Sequence, residues 1–134
     1  MERIEVKISW SGNNYCAGSG AVGGVVLSTH KTFEGVKVAF ADTFEFHVKG
    51  CLADGDQLPD YIQQGNYEFD FKLEMSALLH NLDGIITRAA LARKSGINEK
   101  QLGHYMTGHR NPRPAQQQKI INAIHNIGQE FLSV

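Results

Sequence analysis

Tyr67, Phe69, Phe71 and Leu73 alternate with Glu68, Asp70, Lys72 and Glu74, and nothing after Met75 alternates in this way again. A period of two marks a strand with one buried face. The sheet must therefore lie in the first half of the chain, and the second half must be built from helices. The charge changes sign at the same place. Residues 1–75 carry 6 Lys+Arg against 11 Asp+Glu, a net of −5, while residues 76–134 carry 7 against 3, a net of +4. The total of −1 averages the two. Such asymmetry predicts two modules, residues 1–74 and 75–134, with the basic one facing a polyanion. The fold class expected is α+β, a small β-β-β-α-β module followed by an all-α domain.

A chain of 134 residues accommodates two very small domains. Each is of a size at which a lone core is marginal, so a homodimer or higher oligomer is expected. A hydrophobic content of 42% with 20% charged residues describes a globular chain rather than a disordered one. No apolar run approaches the ~18 residues of a membrane span. The opening MERIEVKISW alternates charged and apolar residues, unlike a signal peptide. Cys16 and Cys51 make neither a disulfide framework nor a zinc pattern. A cytoplasmic setting is the expectation, with no membrane partner.

Within the first module, Ile4, Val6, Ile8 and Trp10 alternate with charged or polar residues and predict a strand. Ser11–Asn14 supplies a turn, Asn14–Ser19 returns antiparallel, and the β-branched Gly24–Lys31 forms a third strand. Thr32 is a helix cap. Phe33, Val36, Phe40, Phe44, Val48 and Cys51 then recur at three- and four-residue steps, predicting a helix to Leu52. Asp54–Gly55 and Pro59 end it. Asp60–Asn66 reads as a polar connection before the strand at Tyr67.

The second module carries the chemistry. Thr87 caps a helix over Arg88–Ser95, Gly96 turns the chain, and Ile97 plugs the turn. Asn98 caps a second helix on which Leu102 and Tyr105 face inward, while Glu99, Lys100, Gln101 and His104 face outward. Gly108 ends it, Asn111–Pro114 is a rigid link, and Ala115–Phe131 is a closing amphipathic helix with Ile120, Ile121, Ile124, Ile127 and Phe131. Two short helices joined by a Gly turn make a helix-turn-helix. The N-terminal end of its second helix is the part that enters a DNA major groove, where Gln and Lys read base edges. Arg88, Arg93, Lys94 and Arg110 surround it as phosphate partners.

The run TRAALARKSGINEKQLGHYMTGHRNPRP with the later IINAIHNIG resembles the Cro and lambda-repressor type of helix-turn-helix. The likeness covers about 45 residues and rests on Leu91, Ala92, Gly96, Asn98, Leu102, Tyr105, Gly108, Arg110, Pro112 and Ile120–Gly128. It implies operator DNA as partner. The site residues are then Arg88, Arg93, Asn98, Glu99, Lys100, Gln101, His104 and Arg110. Gly103 and Met106 depart from the usual pattern.

The first module, with its strand running into GVVLSTHKTFEGVKVAFADTFEFHVKGCLADGDQLP, resembles HicB-type antitoxins more loosely. That family usually has a Pro-x-Leu-Pro-Gly segment before the third strand, where this chain has Gly18–Gly24 (GSGAVGG). The resemblance implies a two-part repressor. One part covers a small basic RNA-cleaving toxin of the HicA type, and the other binds the operator of its own operon. The −5 of the first module suits such a partner electrostatically. The alternatives are a stand-alone regulator whose first module only oligomerises or senses a ligand, and a plain interaction adaptor.

Other signals weigh less. Gly18–Gly23 spells G-x-G-x-x-G, but a β-branched strand follows where a dinucleotide site needs a helix. His47 and Cys51 lie four apart on one helix face and make at most half a zinc site. Glu68, Asp70 and Glu74 read as a solvated strand face. No nucleophile sits beside a base. Neither an enzymatic activity nor a cofactor or metal is expected.

Overall fold

Alternation in the first ten residues becomes strand β1, Glu2–Trp10, which buries Ile4, Val6 and Ile8 on one face and exposes Glu5 and Lys7 on the other. The computed structural model describes residues 1–134 except Gly23, and among them the chain divides into two compact units, Met1–Glu74 and Met75–Val134. After β1 the chain turns through Gly12, whose φ of 89° is a conformation that glycine adopts without strain. It returns antiparallel as β2, Tyr15–Ser19, with Ile8 opposite Ala17 and Trp10 opposite Tyr15. Strand β3, Val26–His30, pairs antiparallel with the outer side of β2. The glycine-rich motif thus begins inside an antiparallel strand. Gly18 and Ser19 belong to β2, and Gly23 lies outside the described residues.

Thr32 caps helix α1, Phe33–Ala53, its hydroxyl accepting from the Gly35 N–H at 3.0 Å. The helix buries Val36, Phe40, Phe44 and Val48, four residues apart throughout, and lays them on the sheet. Strand β4, Tyr67–Leu73, completes a four-stranded sheet of order β3-β2-β1-β4. β4 runs parallel to β1, with Glu2 opposite Tyr67 and Ile8 opposite Leu73. A parallel neighbour requires a crossover, and α1 lies within it. Phe40 meets Phe69 edge-on at 5.2 Å between ring centroids, and Phe44 meets Phe69 at 5.1 Å and Tyr67 at 5.3 Å. These aromatic pairs are the centre of the first unit's core.

One segment differs from the sequence reading. Asp60–Asn66, expected as a polar connection, contains the short helix α2, Asp60–Gln63, which follows Pro59 and buries Ile62. A single apolar residue in a four-residue helix creates no period to detect. Over β1 and β4 the opposite face of the sheet is polar, with Glu68 paired to Arg3 and Asp70 to Lys72.

The second unit consists of α3 (Met75–Asp83), α4 (Arg88–Ser95), α5 (Glu99–Met106) and α6 (Pro114–Leu132). Its core joins Met75, Leu79, Leu91, Ile97, Leu102, Tyr105, Met106, Ile120, Ala123 and Ile127. Phe131, expected on the apolar stripe of the last helix, is instead 64% exposed. It lies in the final turn of α6, beyond the last core contact at Ile127. Among the described residues, no helix is long and apolar enough to cross a membrane.

Candidate nucleic-acid interface

The link between α4 and α5 is Gly96-Ile97-Asn98, and each residue has a distinct task. Gly96 closes α4 in the left-handed conformation, φ 75°, and its N–H donates to the Ala92 carbonyl. Ile97 is buried between the helices. Asn98 begins α5, its Oδ1 accepting from the Gln101 N–H at 2.8 Å. Thr87 does the same for α4, accepting from the Ala90 N–H at 3.0 Å. Two capped helices of eight residues are thereby fixed at a short, rigid corner.

The eight residues singled out by sequence are distributed over this corner. Glu99 and Lys100 are exposed at the start of α5. Gln101 and His104 are half-buried, less outward than expected. The Gln101 side chain is held by its own helix, Nε2 donating to the Tyr105 hydroxyl at 2.9 Å. Asn98 is a cap, and its Nδ2 group is not used in capping. Replacing Asn98 with Ala should lower the stability of the second unit by about 1 kcal/mol, whereas Asn98→Ser should nearly preserve it. Thermal melts of the two variants check this.

Arg88 opens α4, exposed. Gly103, untypical for the resembled family, lies beside the exposed Arg88 side chain. A Cβ at that position would come within 2.9 Å of the Arg88 Nη1, so the missing side chain lets the guanidinium lie against α5. Arg93 is exposed in the last turn of α4, but its neighbour Lys94 is paired with Glu130 of α6 and is not a free cation. Arg110 is exposed just beyond α5, its N–H donating to the His104 carbonyl at 3.2 Å. Sequence reasoning missed Arg113 and Gln116, which meet Gln101, Tyr105, Arg110 and Asn111 around a groove of about 680 Å³. The available signal was Pro114, which sits in the first turn of α6 and fixes where that helix begins.

His104 stacks near His109, ring centroids 5.1 Å apart. Partial burial, and then the neighbouring charges of His109, Arg110 and Lys100, hold its pKa below the usual histidine range. Its imidazole is therefore neutral at pH 7. Folding lowers this pKa, so its contribution to stability is complete above the unfolded value and is lost as pH falls through the folded one. A bound polyanion acts in the opposite sense, because it favours the protonated ring. Were this face to bind DNA, its affinity should consequently rise as pH is lowered through the His104 titration, while the free protein loses stability. Binding titrations and melts over the same pH series check both signs.

Elsewhere, His47 Nε2 lies 3.6 Å from Cys51 Sγ, both half-buried on α1. Among the described residues, no group of three or more His, Cys, Asp or Glu is arranged to hold a metal ion. No protein-family model matches the sequence, and searches of curated proteins and of solved structures return no match.

Proposed function

We propose that this chain is a HicB-like antitoxin, which silences a small basic HicA-type RNA-cleaving toxin and represses its own operon by binding operator DNA. The observation that carries the reading is the α4–α5 corner. It joins two capped helices through Gly96-Ile97-Asn98, with Lys100 on the second helix and Arg88, Arg93 and Arg110 around it. Read as a helix-turn-helix, α5 enters the major groove and the arginines pair with phosphates. The mechanism is binding, not catalysis. A two-fold operator requires a two-fold reader, so the active species is a homodimer or a tetramer built from two dimers, with α5 helices about 34 Å apart.

Support for the toxin-binding half is the first unit's net charge of −5 and an apolar patch beside the open strand β3. Leu27 is 59% and Phe46 80% exposed there. Apolar side chains left out in this way suit a protein partner. The second reading is a stand-alone helix-turn-helix regulator. It is favoured by one observation, the Gly18–Gly24 segment in place of the family's Pro-rich one.

Lys100→Ala and Gln101→Ala should each relax sequence preference by about 1–3 kcal/mol. Arg110→Ala should weaken binding evenly across sequences and flatten the salt slope by about one. Unchanged operator affinity in all three variants would remove the DNA reading. Co-expression with a small basic protein encoded beside this chain separates the two functions. A stable complex that stops RNA cleavage supports the antitoxin, and the absence of such a neighbour leaves the regulator.

A further inference from the structure

Gln101 is the third residue of α5, and its amide is tied down. Nε2 donates to the Tyr105 hydroxyl at 2.9 Å, one helical turn further on. Tyr105 is 3% exposed, its ring packed in the core with Leu102, Met106 and Ile120. The hydroxyl is therefore a fixed anchor. The Gln101 backbone is fixed as well, since its N–H is taken by the Asn98 cap. Beside the two side chains lies the groove bordered by Arg110, Asn111, Arg113 and Gln116.

An unrestrained glutamine amide offers two N–H donors and a carbonyl oxygen, and it rotates to present either end. With one N–H given to tyrosine, the rotation is stopped. What remains is one donor and one acceptor side by side. In the major groove adenine presents a complementary pair, its N7 acceptor and N6 amino donor. Guanine presents two acceptors at the same place. We propose that Tyr105 is a positioning residue that sets Gln101 to read adenine. This rests on the DNA-binding reading of α5. Tyr105 itself touches no base and acts only through the Gln101 amide.

The full-length chain is first used to select sites from a randomised duplex pool, and binding is then titrated against the selected site and its single-base variants. The wild type should enrich adenine at one position of each half-site. Tyr105→Phe, which removes only the hydroxyl, should reduce discrimination at that position by roughly five- to a hundredfold. The salt slope and the melting temperature should stay near wild type, because no phosphate contact and little packing is lost. Combining Tyr105→Phe with Gln101→Ala should be no worse at that position than Gln101→Ala alone. Gln101→Glu, an acceptor only, should move the preference there from adenine to cytosine. A Tyr105→Phe protein with wild-type base preference overturns the inference while leaving DNA binding intact. A uniform loss of affinity with a lowered melting temperature makes Tyr105 purely structural and also overturns it. If the wild type enriches no sequence at all, the DNA reading falls, and this inference falls with it.

Discussion

Phe40→Ala should unfold the first unit at ordinary temperatures and leave the second folded. Phe40 is fully buried and packs against Phe44, Phe69 and Phe71, so it joins α1 to the edge strand β4. Truncating such a ring costs about 3–5 kcal/mol, the transfer term plus the cavity left behind. That loss is comparable to the whole stability of a domain this small, which lies at the low end of about 5–15 kcal/mol. The chain's single tryptophan, Trp10, stands in the first unit, edge-on to Tyr15 at 5.0 Å. Its fluorescence therefore reports that unit alone. In a denaturant titration the Trp10 transition should move to far lower concentration, while the helical circular dichroism of the second unit keeps its midpoint. If the Trp10 transition stayed in place, the aromatic cluster would not be the centre of this core.

Under the proposed DNA-binding role, the second large effect is on operator affinity and arises from salt. Arg88, Arg93, Lys100, Arg110 and Arg113 are all exposed around α5 and the start of α6. Lys94, tied to Glu130, is left out of this set. The proposed dimer presents the set twice. With about 6–10 phosphates neutralised, affinity falls by about 10³–10⁵ between about 50 and about 200 mM salt. Fluorescence anisotropy over a salt series gives the slope directly. A slope shallower than about −3 would mean that most of these cations do not face DNA. The same series on Arg113→Ala tests a cation that sequence reasoning missed.

Much of the fold was legible because its signals are local. The alternation in β1 and β4, the Thr32 cap, and the four-residue spacing from Val36 to Val48 are each contained in a short window, and each element forms where that window puts it. The caps at Thr87 and Asn98 and the left-handed turn at Gly96 are equally local. What the sequence hid is what depends on distant partners. The parallel pairing of β1 with β4 has no mark in either strand. Ile62 is one buried apolar residue with no periodic partner in its short helix. Gln101 reads as an outward polar residue, because its bond to Tyr105 belongs to the folded helix rather than to composition. Phe131 continues an apolar stripe past the point where anything remains to cover it. At the candidate interface the residue types were visible, but their roles were divided by neighbours. Asn98 went to capping, Lys94 to an ion pair, and Arg88 to a place that Gly103 vacates.

The pairing of β1 with β4 also bears on how the chain comes off the ribosome. β1 is synthesised before the other strands of its sheet, yet its parallel neighbour begins only at Tyr67. Until that stretch emerges, one side of β1 is unsatisfied and the Phe40 and Phe44 rings lack their cover. The first unit must therefore wait, half-assembled, until β4 has been made. Contacts so far apart along the chain close slowly. The α4–α5 corner, made of neighbours in sequence, has no such wait. In a nascent chain the second unit, translated after the first, is then the one able to fold sooner after it appears.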